Sequence, residues 1–183
     1  MSSEEKNLLM RIAYRVRQFW YVLRSSAPAE DELEQAKSVL SEPQMALFLQ
    51  LHPSEQRHGL RMLQVLRNQG ESQPDLLAAA LLHDIGKLIH PLQLWERVLI
   101  VMARKLVPNK VVTWGDREPK GWKRPFIISR KHPEWGAELV SQTGGSTLLL
   151  NLIRRHENGL PDEQQNSLEA RLLKALREAD DWN

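Results

Sequence analysis

The sequence predicts an all-α, single-domain protein, and three observations carry that prediction. Apolar residues recur every three or four positions along almost the whole chain, the spacing of one helix face. Serine, proline and glycine stand where those runs begin and end. The β-branched cluster Val111 to Thr113 is too short to support a sheet. At 183 residues the chain is long enough to bury one core.

Leu8, Ile12, Val16, Phe19 and Leu23 mark one face of an N-terminal helix, which SSAPAE at 25–30 breaks. Arg11, Arg15 and Arg17 beside Phe19 and Trp20 read as a solvated face docked on the domain or at a dimer contact, ahead of a membrane-surface helix. A second helix runs from about Glu30 to Leu40, and Ser41 caps a third with Pro43 in its first turn. Residues 1–50 are thus expected as helices packed on the core or at a homo-oligomer contact, with the main domain over 51–183. Pro53 and Ser54 open the next helix, in which Leu60, Leu63, Val65 and Leu66 are the apolar positions and Gly70 the stop. Pro74 and Asp75 begin LLAAALLHDIGKLIH, apolar all round in its first half and so expected at the centre of the domain.

Pro91 starts another apolar helix. From 107 to 125 the periodicity collapses into a long irregular loop with three prolines, two glycines and two tryptophans. Trp114 and Trp122, with Lys120, Lys123 and Arg124, fit a lid that stacks on a base, or tryptophans that pin the loop to the core. Trp95 and Trp135 read as packing residues. Helices resume at HPEWGAELVSQ, STLLLNLIRRHE and QNSLEARLLKALREADDW.

Composition removes several chemistries. The absence of cysteine excludes disulfides, thiolate metal sites and cysteine nucleophiles. Lys+Arg 25 against Asp+Glu 23 is not the basic excess of a general nucleic-acid binder. The first residues do not read as a signal peptide, and LLAAALL at 76–82 is far too short for a membrane span. The expectation is a cytoplasmic globular protein.

Six histidines carry the functional signal. His83 and Asp84 are neighbours in an apolar helix, where two polar side chains are costly to bury alone. A divalent cation satisfies them, and so does a buried polar network. Gly86 leaves room near a metal, and Lys87 lies one turn beyond His83, within reach of a phosphate oxygen. His58 is on the preceding helix, His132 precedes Pro133 at an expected helix start, His156 ends the following helix, and Asp180 interrupts the last apolar pattern. Separated segments therefore each offer a ligand-type side chain at a helix end or on an apolar face. His52 and His90 are expected as surface or structural residues.

HGLRMLQVL, LLAAALLHDIGK, KHPEWGAELV, IRRHENGLP and READD, in this order between about residues 54 and 182, resemble the successive signatures of the HD superfamily of metal-dependent phosphohydrolases. LLHDIGK and HPEWGAEL look most like its HDIG and HD-GYP branch. The resemblance implies an HD-type helical bundle over 51–183. It implies one metal held by His58, His83, Asp84 and Asp180, with Asp84 bridging to a second completed by His132 and His156. It also makes Lys87 a contact to substrate phosphate. This chain departs from the branch in reading Arg155-His156 where paired histidines are usual, and in having ENGLPDE without a GYP motif. One or two ions are therefore expected rather than three, and cyclic-di-GMP phosphodiesterase activity is not implied.

The expected activity is hydrolysis of a small-molecule phosphoester, such as a nucleotide or a related phosphorylated metabolite, with Asp84 and Lys87 catalytic. Lys87 and Arg155 would bind the substrate, and Glu157 reads either as an aid in placing water or as a surface residue. Imidazole and carboxylate ligands without sulfur suit manganese, iron, cobalt, nickel or zinc. Two other readings share these residues: an HD-fold di-iron oxygenase and a non-catalytic nucleotide-binding HD module.

Overall fold

The computed structural model describes residues 27–93, 95–96, 99–100, 102–103, 121–157 and 167–181. The expected helix over Leu8 to Leu23, the Val111 to Thr113 cluster and residues 107–120 of the irregular loop lie outside them. The described elements are helices: α1 Glu30–Lys37, α2 Glu42–Phe48, α3 Pro53–Asn68, α4 Pro74–Leu82, a 3₁₀ turn Ile85–Leu88, a second 3₁₀ turn Gly121–Lys123, α5 Arg124–Ser141, α6 Thr147–Arg155 and α7 Leu168–Asp181. The fold is all-α, and no helix among these residues is long and apolar enough to cross a membrane.

Local chemistry sets most boundaries. The main-chain N–H of Ser41 donates to Gln44 Oε1 at 3.1 Å, opening α2. The imidazole of His52 accepts the Ser54 N–H at the start of α3, which gives that histidine its structural role. At the other end of α3, Gly70 takes φ 84°. The N–H of Gly70 then donates to the Arg67 carbonyl and that of Glu71 to the Leu66 carbonyl, closing the helix with a left-handed cap.

Helix α4 is the hub, because every residue from Leu76 to Leu82 is buried. It packs against α3, α6 and α7, and one continuous core joins it to Phe48, Met62, Leu63, Leu66, Leu152, Ile153 and Leu176. Each fully buried leucine there contributes roughly 1.5–3 kcal/mol. Ala36, Leu40 and Met45 of the N-terminal elements belong to the same core.

A smaller cluster of Ile100, Ala103 and Phe126 sits beside it. There Arg124 Nη1 lies 2.5 Å from both carboxylate oxygens of Glu96, whose side chain is 2% exposed. Trp95, expected as a packing residue, is instead 56% exposed, because Glu96, Ile100 and Ala103 form the inner face of that segment.

Two expected boundaries are corrected. The run LLAAALLHDIGKLIH is not one helix: α4 stops at Leu82, His83 caps it, and Asp84 adopts φ −92°, ψ 0° before the chain tightens into the 3₁₀ turn. The turn is forced by close contact with α5, since a Cβ on Gly86 would lie 2.0 Å from the His132 carbonyl oxygen and 2.6 Å from the Gly136 nitrogen. Gly86 therefore serves backbone approach and not, as its sequence context suggested, space for a metal. The second correction concerns His132, which lies within the 18-residue α5 instead of at a helix start, with Pro133 inside the helix. The start is at Arg124, so the last residues of the 107–125 loop are helical. Pro125 occupies the first turn, and Phe126, Ile127 and Ile128 anchor it by burial.

Gly86→Ala is expected to destabilise the protein by at least about 3 kcal/mol in urea denaturation, since both clashing atoms are main-chain. Gly70→Ala, strained in φ but with nothing within 4 Å of the added Cβ, should cost only about 1 kcal/mol. Equal losses would contradict the packing account.

Candidate metal centre

The sequence-distant histidines meet. Ring centroids lie 5.2 Å apart for His58 and His83, 5.1 Å for His83 and His156, and 5.1 Å for His132 and His156. Helix α3 brings His58 to α4 because Gly59, its neighbour, lets the two backbones close: its Cβ would stand 3.2 Å from the Ala80 oxygen and the Leu81 Cα. Gly136 does the same on α5, with Gly86, Ile85 and Ile153 packed against it. Neither glycine was singled out in the sequence, although an isolated glycine in a helical pattern is the available signal for close backbone approach.

Asp84 lies at the middle and its two oxygens face different partners. Oδ1 is 3.2 Å from His132 Nε2, while Oδ2 is 3.6 Å from His83 Nε2 and 2.5 Å from Lys87 Nζ. The donor atoms form two groups sharing this carboxylate, His58–His83–Asp84 and Asp84–His132–His156, each with all its ligand atoms within 4.8 Å of one another. Asp180 joins through His58, whose Nε2 is 2.9 Å from its Oδ1. The outer residues are more committed. Arg155 Nε stands 3.8 Å from Glu169 Oε1, Glu157 is exposed, and His90 packs its ring against Trp135 at 5.1 Å.

The donor set tests whether a cation fits. His132 and His156 each direct Nδ1 at a main-chain carbonyl, Ser129 at 2.9 Å and Ile153 at 2.7 Å. A carbonyl only accepts, so Nδ1 carries a proton in both rings, and the Nε2 of a neutral ring keeps a lone pair. Yet the two Nε2 atoms face each other at 3.2 Å. Two neutral rings would set two buried lone pairs against each other there, and a cation between or beside them relieves the repulsion. Burial first of all opposes a proton on His156 and holds its pKa below the ordinary value, and a proton on His132 would lower it further. Ligands about 2.1 Å from one ion at near-tetrahedral angles are themselves about 3.4 Å apart, the scale of these contacts. The residues fit a divalent cation bound by nitrogen and oxygen.

The electrostatics agree. Burial lowers the His83 pKa to about 3, against the opposing pull of Asp84, so the ring is neutral as a ligand must be. Burial alone would raise Asp84, but Lys87, His83 and His132 outweigh it and hold the carboxyl well below the usual range. Burial also pushes Asp180 upward, and the hydrogen bond from His58, with the neighbouring His83 and His58 rings, brings it down to about 2.

These features define a helical domain organised around a histidine–aspartate cation site. The chain matches the HD domain family over residues 56–176, two thirds of its length, and belongs to that family. HD domains form a superfamily of metal-dependent phosphohydrolases. No curated protein and no solved structure matches the chain.

The metal-free protein should lose stability as pH falls. His83 titrates near 3 when folded and 6.5 when unfolded, so below about 6.5 the unfolded chain binds more protons than the native one. Lowered His156 has the same sign, and Asp180 adds to it only below its unfolded value of 3.8. The urea midpoint of metal-free protein at pH 5 is expected to lie below that at pH 7.5, and an unchanged midpoint would count against neutral buried imidazoles.

Proposed function

We propose that the protein hydrolyses a phosphoester of a small molecule, a nucleotide or related phosphorylated metabolite, at a site where Asp84 bridges two cation positions. One position would be held by His58, His83, Asp84 and Asp180 and the other by Asp84, His132 and His156. The observation that carries this reading is the division of the Asp84 oxygens between two histidine groups whose lone pairs converge. Family membership supports the reaction class.

Bound divalent metal supplies Lewis acidity and lowers the pKa of a coordinated water towards ~7. The chain's own residues do the rest. Three of the histidines are held buried at fixed angles, so little reorganisation is needed around an incoming anion. Lys87 Nζ stands beside Asp84 with its side chain 22% exposed, where it can exchange the carboxylate for a phosphoryl oxygen. Arg155, 34% exposed and loosely paired with Glu169, is a second cation for the substrate's charge. Among metals, manganese, iron, cobalt, nickel and zinc all suit the ligand set.

A screen of phosphorylated metabolites with added metal should release phosphate without consuming oxygen, and Asp84→Ala should lower the rate ~100-fold or more. Hydrolysis that persists unchanged in this variant overturns the mechanism, and oxygen uptake would favour the di-iron oxygenase instead. His58→Ala and Asp180→Ala are each expected to reduce the metal content of the purified protein, with His90→Ala keeping it. Equal metal in all three would remove the ligand assignment.

A further inference from the structure

The three buried imidazoles share one arrangement. Each directs Nδ1 at the main-chain carbonyl three residues earlier: His83 at Ala80 (3.2 Å), His132 at Ser129 (2.9 Å) and His156 at Ile153 (2.7 Å). Inside an α-helix such a carbonyl normally takes the N–H four residues ahead. His83 and His156 cap α4 and α6, so Ala80 and Ile153 lie among the last four carbonyls, which have no intrahelical donor.

His132 lies in mid-helix, where that explanation fails. The N–H expected at the Ser129 carbonyl is that of residue 133, and residue 133 is proline, which has none. The neighbouring Ile128 carbonyl is farther from Nδ1, at 3.3 Å, and is the regular acceptor for the main-chain N–H of His132 itself. A proline in mid-helix normally destabilises it, so a compensating role is to be sought.

We infer that Pro133 is a positioning residue for the metal centre: by withholding its N–H it leaves the Ser129 carbonyl to His132 Nδ1–H, and so keeps Nε2 of the ring facing Asp84 Oδ1 and His156 Nε2. The inference rests on the cation-site reading above. Pro133 reproduces within a helix the donor-poor carbonyl that the other two histidines find at helix ends. Alanine at this position restores a main-chain donor to Ser129, which competes with the imidazole. The ring is then less firmly held in the Nδ1–H form, and the Nε2–H form cannot ligate through that nitrogen.

The test compares full-length wild type, Pro133→Ala and His132→Ala. Nitrogen-resolved NMR of the histidine side chains in metal-free protein reads the tautomer, calorimetric titration reads zinc affinity, and thermal melting reads the fold. Pro133→Ala is expected to melt at the same temperature or higher, to lose the fixed Nδ1–H form of His132, and to bind zinc on the order of tenfold more weakly. A purely structural proline would show a lower melting temperature with the tautomer unchanged. Retention of the tautomer, with zinc affinity within about twofold of wild type, overturns the inference. So does a variant that fails to fold, because the restored N–H must be tolerated. Wild type that binds no zinc, with the tautomer shift still seen on Pro133→Ala, would sink the cation-site reading and leave the positioning role standing.

Discussion

The contact on which the site depends is main chain against main chain, where the turn after α4 lies on α5 at Gly86 and the His132 carbonyl. No side chain fits there, and the turn accordingly departs from α-helical geometry just before it. That departure places Asp84 in the sparsely populated region near ψ 0°, which many functional residues occupy. From there its carboxylate faces His83 on its own element and His132 on the neighbouring helix. Gly59 performs the matching service between α3 and α4, so both histidine groups are reached by backbone proximity. Short ligands such as aspartate and histidine tolerate little slack, and close helix approach removes it.

Charge is arranged as carefully as position. Burial disfavours the charged forms of His83 and His156, and the acidic members of the cluster are Asp84, shielded by Lys87, and Asp180, hydrogen-bonded to His58. A divalent ion in such surroundings keeps much of its positive charge, because few carboxylates cancel it. That is the electrostatic condition for attracting a phosphate anion, whereas an all-carboxylate cage would repel one. In the proposed function, the metal's preference for imidazole and the substrate's for positive charge would be met by the same side chains.

Much of this was legible in the sequence. The helical class followed from apolar spacing, and the caps at Ser41 and Gly70 from residue chemistry that acts locally. The meeting of His58, His83, Asp84, His132, His156 and Asp180 was legible through motif order, which stands in for tertiary information. The unread parts share one cause. Where α4 ends and why α5 runs through Pro133 are decided by contacts between distant segments, which periodicity does not encode. Proline beside a histidine reads as a helix start from local rules alone, yet burial of Phe126 to Ile128 extends the helix backward past it. Trp95 likewise looks like core until the inner face is seen to be Glu96, Ile100 and Ala103.

The pairing of Glu96 with Arg124 has a further consequence. Its carboxylate is almost wholly enclosed, and the guanidinium also reaches the Pro91 carbonyl at 3.1 Å, so the two ends of the intervening stretch are clasped together at its base. For a chain closed in this way, doubling the enclosed length adds only about 0.6 kcal/mol of entropic cost. Changes of length beyond Ala103 would then cost folding little, whereas Ile100 and Ala103 stay tied to Phe126 by burial.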